Sequence, residues 1–179
     1  MNNLNLLAFD LGASSGRAIL GRFDGERLGI EEIHRFSNDP VEVGDRIYWD
    51  VLRLFWEIKN GLIKFSQNLG GELSSVGIDT WGVDFGLLDA SGELLGNPYH
   101  YRDSQTEGMM EKAFSIIPKE DIYQYTGIAF QKFNTIYQLL ALVDRNSSLL
   151  DKADMLLFMP DLLAYFLTGE KSTEYTEAS

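Results

Sequence analysis

The sequence predicts a single α/β domain, 1–179, with a mixed sheet of about five strands and helices packed on both faces. Three observations lead to this prediction. Short apolar runs separated by turn residues fill the first third of the chain, apolar residues at helical spacing follow Asp50, and capped helical segments follow Ser104. No Pro/Gly/Ser linker, internal repeat or low-complexity stretch divides the 179 residues, which supports one domain.

The first three strands are expected to form an antiparallel meander. The first apolar run ends at a carboxylate, and its unbroken apolar character is typical of a strand buried on both faces. A small-residue segment, 12–16, and the turn dipeptide Asp24-Gly25 separate the runs from one another. The predicted strands cover 6–10, 17–23 and 27–36.

A long helix is predicted after Asp50, whose side chain suits the N-cap position, and Gly70-Gly71 marks its end. Its apolar residues recur at helical spacing: Val51, Leu54, Phe55, Ile58, Leu62 and Phe65. Beyond it, 75–79 is another apolar strand that ends in a carboxylate. The runs 83–88 and 93–95 flank a hairpin turn.

The second half of the chain predicts helices. Ser104 to Glu107 has the capping-box pattern, so a helix is expected to begin at Ser104. Gly127 and Gly169 are placed to close two further helices. Those helices and the one between them are predicted over 118–126, 134–145 and 160–168. The middle one is expected to carry Ile136, Leu139, Leu140 and Val143 on one face, an apolar pattern that is typical of the side packed on the core.

Charge and composition limit the possible partners. The 27 acidic and 15 basic side chains give a formal charge of −12, which argues against a nucleic-acid surface and against an anionic membrane. ATP remains possible, because a few backbone amides and one cation can hold phosphates locally. There is no cysteine, no signal-peptide pattern and no apolar run of membrane-spanning length, so a cytoplasmic location is expected.

The segment 10–17, DLGASSGR, is the first candidate site. A tight turn of small residues lets backbone N–H groups approach an anion, because few side chains intervene. Ser14 and Ser15 add hydroxyl donors, Arg17 adds a positive charge, and Asp10 could hold Mg²⁺ through water. On its own the segment fits a plain hairpin turn equally well, and it matches neither the P-loop nor the Rossmann fingerprint.

The segment 77–85, GIDTWGVDF, is the second candidate. Carboxylates accept hydrogen bonds from sugar hydroxyls, an indole packs on the C–H face of a sugar ring, and a glycine leaves room for a ligand. Two acids, Trp81 and Gly82 offer these features together. The segment alone favours a plainer interpretation, in which Trp81 and Phe85 are core residues and Asp84 is a solvated turn residue.

The segment 99–103, YHYRD, is the third candidate, a polar and aromatic cluster ahead of the predicted capped helix. Its local pattern favours a surface ion pair between Arg102 and Asp103 beside two half-buried tyrosines. The two histidines, His34 and His100, are far apart in sequence, and no histidine metal site is expected.

Several motifs occur together in a fixed order. They are 10–17, 33–36 (IHRF), 49–50 (WD), 77–85, 101–104 (YRDS), 133–135 (FNT), 137–139 (YQL), 159–161 (MPD) and 167–169 (LTG). This order resembles the FGGY carbohydrate kinases of the actin/hexokinase-like superfamily, and within them the rhamnulokinase branch. The resemblance covers nearly the whole chain. The motifs DLGASSGR and DTWGVDF are specific to that branch, whereas LTG and DLG are shared by most sugar kinases of the group.

The resemblance implies an actin/hexokinase-like (ribonuclease H-like) N-terminal lobe that uses ATP and Mg²⁺. Asp10 would face the metal and the transferred phosphoryl group, and Gly82 would meet the sugar through its backbone. The loop that meets the outer phosphates of ATP would consist of Ala13, Ser14, Ser15, Gly16 and Arg17. The wall of the sugar pocket would consist of Asp79, Trp81, Tyr101, Asp103, Phe133 and Asn134.

Two departures from the family accompany the resemblance. Gln105 stands where the family usually has arginine. The family's catalytic base, adenine pocket and second phosphate loop belong to later segments, so no catalytic residue is expected in this chain and a C-terminal lobe is the expected partner. The chain ends at 176–179, inside a motif that normally continues.

The activity implied by the resemblance is transfer of phosphate from ATP to L-rhamnulose, giving L-rhamnulose 1-phosphate in rhamnose catabolism. The chain alone is expected to be inactive. The alternatives are a kinase for another ketose, such as fuculose or xylulose, and a non-catalytic sugar-binding module. Binding of nucleic acid or membrane is not expected.

Overall fold

The computed structural model describes residues 4–68 and 71–177, and these divide into two compact units. Among the described residues, the first unit contains those up to Asp39, those in Asp50–Trp81 and those in Leu163–Glu170. The second contains those in Pro40–Trp49, those in Gly82–Leu162 and those from Lys171 onward. The single-domain organisation stays a prediction.

The first unit is built on a four-stranded mixed sheet. Its strands are β1 (Leu4–Leu11), β2 (Ser15–Phe23), β3 (Leu28–Ser37) and β6 (Ser75–Asp79), in the order β3-β2-β1-β6. The first three form the predicted antiparallel meander, and β6 pairs with β1 in parallel. The turn between β1 and β2 contains no helix, so the predicted strand–turn–strand arrangement around 12–16 is confirmed.

One face of this sheet is buried and the other is open. Alternate residues of β1 and β2, among them Phe9 and Ala18, are fully buried beneath the helix α1 (Val51–Asn68), whereas Ala8 and Arg17 on the opposite face are exposed. Gly61 of α1 lies so close to the sheet that a Cβ there would stand 2.6 Å from the Phe9 ring. The first strand is therefore half-buried, because its side chains alternate between the two faces.

The second unit combines two small sheets with short helices. The pair β4 (Val41–Val43) and β5 (Arg46–Tyr48) and the pair β7 (Phe85–Leu88) and β8 (Met155–Phe158) are both antiparallel. The helices are α2 (Met109–Ile116), α3 (Lys119–Thr126), α4 (Thr135–Asp144), α5 (Ser148–Lys152) and the first residues of α6 (Met159–Thr168). Tyr137 and Leu142 of α4 are fully buried with Leu88 and Leu157 of the β7–β8 pair.

The α/β class is confirmed, and most helix ends fall where the capping signals place them. Asp50 precedes α1, and the αL residues Gly127 and Gly169 follow α3 and α6. The fifth predicted strand, 83–88, differs: it leaves the main sheet and pairs with β8. Among the described residues the helix α1 covers the Phe9 face of β1 and β2, and helical cover on the other face of the sheet stays a prediction.

Two sequence predictions about helices are wrong. No α-helix begins at Ser104. Asp103 caps a single 3₁₀ turn over Ser104–Thr106, and the left-handed Gly108 separates it from α2. Helix α4 does not bury the predicted face: Ile136 and Val143 are exposed, and the buried residues are Tyr137, Gln138, Ala141 and Leu142. Both faces of α4 contain apolar residues, so the pattern fitted two orientations.

The close approach of α1 to the sheet gives a stability prediction. We expect Gly61→Ala to lower the free energy of unfolding by about 1–3 kcal/mol, although alanine is the better helix former, because its methyl group would overlap the rings and side chains beneath. Ser66→Ala, at an exposed position of the same helix, is the matched control and should change little. Urea unfolding of both variants measures the effect. An increase in stability for Gly61→Ala would contradict the packing described.

Candidate functional site

The loop between β1 and β2 is a tight hairpin turn. The Gly12 N–H donates to the Ser15 carbonyl at 2.9 Å, and Leu11 pairs with Gly16 across the two strands. Ala13 and Ser14 are exposed at its tip. Within the part of the chain that the structure describes, their N–H groups donate no hydrogen bond. The loop therefore presents free donors of the kind that an anion requires.

A buried asparagine that sequence reasoning missed supports this loop. Asn38 is 2% exposed, and its amide Nδ2 donates to the Gly12 carbonyl at 2.8 Å. Its backbone N–H donates to the Ser14 carbonyl at 3.0 Å. The two bonds hold both sides of the turn to the end of β3. The only sequence signal was a polar residue directly after a strand, which is also typical of an ordinary loop.

Packing explains why one of the two glycines of the loop must be glycine, but it does not explain the other. A Cβ at Gly16 would lie 2.3 Å from the Phe36 ring, so packing against β3 alone requires glycine there. A Cβ at Gly12 would meet the Ser15 carbonyl at 3.4 Å, an ordinary contact. The sequence-based argument that small residues serve anion approach therefore does not explain Gly16.

Three charged side chains form a row at this end of the sheet. Asp10 is the cross-strand partner of Arg17 on β2 and of Asp79 on β6, and in-register neighbours project from the same face. The Arg17 guanidinium donates to the Asp10 carboxylate at 2.8 Å, with the two side chains 44% and 39% exposed. An ion pair this exposed contributes about 0–1 kcal/mol, so a ligand can separate its partners at little cost.

The row suits a magnesium ion held mostly through water. Mg²⁺ typically keeps several waters and takes one or two carboxylates from the protein. Asp10 and Asp79 supply two carboxylates on neighbouring strands. The described residues contain no group of three or more His, Cys, Asp or Glu that would enclose a metal fully. The donor set therefore fits Mg²⁺ bound together with substrate phosphates.

The residues predicted to line a sugar pocket belong to both units. Asp79 and Trp81 belong to the first unit, while Gly82, Tyr101 and Phe133 belong to the second. Gly82 is exposed, and a Cβ built on it meets nothing within 4 Å, so there is open space beside its backbone. The Tyr101 and Phe133 rings meet edge to face at 5.8 Å. A common concave surface for Asp79, Trp81, Gly82 and Asp103 stays a prediction.

The side chains of two residues predicted as pocket wall hold the local backbone, and their place in a sugar pocket stays a prediction. The Asp103 side chain is 0% exposed and accepts from the Ile47 N–H at 2.7 Å, the Gln105 N–H at 2.8 Å and Arg46 at 3.2 Å. It is thus buried, whereas the sequence favoured a surface pair with Arg102. Asn134 precedes α4, and its side chain bonds to Gln131 and Ala129 within the preceding turn.

Asp84 departs most from the plainer interpretation of the segment 77–85 taken alone, in which it is a solvated turn residue. It is 1% exposed, and its φ of 73° is left-handed, a conformation that aspartate adopts more readily than most residues. Its carboxylate accepts from Trp49 Nε1 at 2.6 Å, Gln138 Nε2 at 2.5 Å and the Tyr101 N–H at 3.1 Å. It therefore fixes Tyr101 and positions the start of the segment 99–103.

His100 lies next to this centre and is neutral. Its ring stacks 4.0 Å from that of Trp49, and its Nδ1 accepts from the Arg102 N–H at 3.0 Å. Burial, with the charge of Arg102, lowers the pKa of His100 to about 4. The imidazole therefore acts as a packed hydrogen-bond acceptor within the second unit.

Gln105, which stands where arginine was expected from the resemblance, has a cationic neighbour. Its Oε1 accepts from the Arg145 guanidinium at 3.1 Å, and Arg145 also lies over the Tyr99 ring at 4.8 Å. A positive charge at this place thus comes from the end of α4. Gln105 and Tyr99 also line a largely apolar pocket, whose volume is about 420 Å³ when the space open to solvent is included. None of the residues predicted to contact the sugar line this pocket.

The mixed sheet and the hairpin loop fit the carbohydrate-kinase family that the sequence resembles, and comparison with known families agrees. Residues 5–179 match the model of the FGGY family of carbohydrate kinases, N-terminal domain, and the chain belongs to that family. It is 50% identical over 175 residues to a rhamnulokinase of Bacteroides thetaiotaomicron and 49% identical over 173 residues to one of Oceanobacillus iheyensis. These alignments cover 98% and 97% of the chain but 36% and 37% of those relatives, so the chain spans about a third of their length.

Solved structures of sugar kinases share the fold. A gluconate kinase from Lactobacillus acidophilus superposes with a TM-score of 0.85 at 17% identity, covering 99% of this chain and 36% of that one. A ligand-bound xylulose kinase from Lactobacillus acidophilus gives a TM-score of 0.84 at 18% identity, covering 97% and 35%. No helix among the described residues is long and apolar enough to span a membrane.

The buried neutral histidine gives a pH prediction. The unfolded state takes up a proton on His100 near pH 6.5, and the folded state does so only near pH 4. Stability from this group is therefore complete above pH 6.5 and is lost as the pH falls toward 4, by about 3 kcal/mol in total. We expect His100→Asn, which keeps an acceptor for the Arg102 N–H, to remove this part of the acid sensitivity.

The measurement is urea unfolding of both proteins at pH 7.5, 6, 5 and 4.5. The difference between their pH profiles isolates His100 from the carboxylates, which titrate in both. Parallel profiles would show that His100 has the same pKa in the folded and unfolded states, and would contradict its burial as a neutral imidazole.

Proposed function

We propose that this chain is the N-terminal part of an ATP-dependent kinase that converts L-rhamnulose to L-rhamnulose 1-phosphate in rhamnose catabolism. The observation that carries the proposal is the hairpin loop with free N–H donors beside Asp10 and Arg17, in a chain about 50% identical to rhamnulokinases. The reaction is proposed to take place in the cytoplasm, the location that the sequence predicts.

In this proposal the loop 13–17 binds the outer phosphates of ATP. The N–H groups of Ala13 and Ser14 donate to phosphate oxygens, and the hydroxyls of Ser14 and Ser15 add further donors. Gly16 keeps the strand close to Phe36, and Asn38 holds the turn in shape before the nucleotide arrives. A loop that is already ordered loses less conformational freedom on binding.

Arg17 and Asp10 change partners when substrates bind. Arg17 would then pair with a phosphate oxygen in a charge-assisted contact, and Asp10 would be free to hold Mg²⁺ through water. When bound, Mg²⁺ neutralises charge on the phosphates as they transfer. The exposed ion pair preserves the geometry of both groups in the absence of ligand.

Gly82 and six side chains would form the sugar site, four of them as contacts and two as supports. Gly82 leaves space beside its backbone, and Asp79, Trp81, Tyr101 and Phe133 offer a carboxylate and aromatic faces. Asp103 and Asn134 act as positioning residues, because their side chains are bonded to neighbouring backbone groups.

Catalysis would require the C-terminal lobe, since phosphoryl transfer depends on a positioned base and on both substrates being held together. The test is a coupled ADP-release assay with L-rhamnulose on the 179-residue chain and on a version extended by that lobe. We expect turnover only from the extended protein, with L-rhamnulose preferred over fuculose and xylulose. Comparable turnover by the short chain would contradict the proposal, and sugar binding without turnover by the extended protein would favour a sugar-binding module.

Because there is open space beside Gly82, a substitution there can test its role in sugar binding without disturbing the fold. We expect Gly82→Ala to leave the free energy of unfolding within about 0.5 kcal/mol, because its Cβ meets nothing, and to weaken L-rhamnulose binding at least tenfold. Gly96→Ala is the matched control, since its Cβ also meets nothing within the same unit. Saturation-transfer NMR on the chain with L-rhamnulose measures binding. Equal affinity for both variants would exclude Gly82 from the sugar site.

The proposed role of Arg17 in phosphate binding can be tested with Arg22, on the same strand, as the control. Arg22 is equally exposed and forms a similar ion pair with Glu31 at 2.8 Å, but it lies away from the loop. We expect Arg17→Ala to weaken binding of MgADP about tenfold, as loss of one charge-assisted hydrogen bond would. Arg22→Ala should leave the affinity unchanged. Calorimetric titration measures both, and equal losses would show that only the overall charge matters.

A further inference from the structure

Helix α1 has an exposed apolar stripe opposite to the face that packs on the sheet. Leu52, Trp56 and Ile63 are 61%, 55% and 49% exposed, and Lys59 is exposed between them. Solvent-exposed tryptophan and leucine in one line on a surface helix are unusual unless they meet a partner. None of these residues belongs to the loop or to the proposed sugar site.

The stripe follows the spacing of a coiled-coil seam. Residues 52, 56, 59, 63 and 66 are separated by four, three, four and three positions, the alternation of the a and d positions of a heptad. The core face of α1 uses other residues, among them Leu54, Ile58 and Phe65. The helix is therefore apolar on two opposite sides, of which the described residues cover one.

The stripe is complementary to a reversed copy of itself. If two α1 helices lie antiparallel with residues 52 and 63 opposite each other, Leu52 meets Ile63 and Trp56 meets Lys59, and the two-fold axis repeats both pairs. The aliphatic side chains then face each other, and the Lys59 ammonium, which lies 4.9 Å from the centre of the Phe55 ring on its own helix, faces the Trp56 indole of the other copy in a favourable cation–π arrangement. Position a of one helix faces position d of the other throughout, which is the required packing of antiparallel seams.

Charge also favours a second copy at this place. The chain carries a formal charge of −12, so most faces of two copies repel each other. The seam contains no carboxylate. Glu57, the acidic residue of α1, is buried and bonded to His34 at 2.7 Å. Two copies that meet here avoid the repulsion that other faces would produce.

We propose that two copies of this chain associate through antiparallel pairing of their α1 helices, with Leu52 against Ile63 and Trp56 against Lys59. The contact rests on four side chains per copy, which places it among small interfaces of less than about 1,200 Å² in total. Its dissociation constant is on the order of 100 μM, so the dimer forms at high protein concentration.

The absence of cysteine from the chain allows a direct test of the register. Leu52→Cys and Ile63→Cys chains, one with an affinity tag, are mixed at 300 μM and oxidised. The proposed register brings positions 52 and 63 of different copies within disulfide distance, whereas two copies of position 52 lie about 16 Å apart along the helices. We expect the mixed disulfide to exceed either homodimer at least tenfold.

Leu28→Cys, at an exposed apolar position on β3, measures random collision. Mixed disulfide no greater than that background would overturn the interface, and predominant homodimers of each variant would overturn the antiparallel register.

Sedimentation velocity of the unaltered chain between 10 μM and 1 mM provides a second measurement. We expect the mass to approach that of two chains, and Trp56→Glu, on an exposed surface, to remain monomeric with an unchanged circular dichroism spectrum. A chain that stays monomeric at 1 mM would also overturn the proposal.

Discussion

The arrangement of the second unit depends on one buried carboxylate. Asp84 adopts a left-handed φ and is removed from water, and both features oppose folding. Donors from three separate segments compensate: the indole of Trp49, the backbone of Tyr101 and the amide of Gln138. Removing the carboxylate would leave three buried donors without their acceptor. The same group thus holds three segments: the one after β5, the one before the 3₁₀ turn, and α4.

The elements with strong local signals could be predicted from the sequence. The turn between β1 and β2, the start of α1 at Asp50 and the ends at Gly127 and Gly169 each follow from the conformational preference of one or two residues. The orientation of α4 could not be predicted, because both of its faces are apolar and only the contacts of Tyr137 and Leu142 decide between them. The strand β8 is too short to be distinguished from the start of the helix that follows it.

The site was predictable as a set of segments but not in the role of each residue. A carboxylate has the same sequence signal whether it accepts from a sugar hydroxyl or from the protein backbone, and Asp103 proves to do the second. Gly16 and Gly82 likewise look equivalent in sequence, yet the first is required by the Phe36 ring and the second has open space beside it. Asn38 gave almost no signal, because its importance comes from contacts with a loop far from it in sequence.

The candidate phosphate loop combines a rigid backbone with a weakly held pair of charges. Hydrogen bonds from the buried Asn38 fix the turn, and they are costly to break because the Asn38 amide is removed from water and would lose its acceptor. The pair formed by Arg17 and Asp10 is exposed and contributes about 0–1 kcal/mol. A nucleotide would therefore meet a loop whose donors are already in place, and would have to displace only the weak ion pair. This division suits reversible binding, since affinity then depends on the new contacts and little is lost in reorganising the protein.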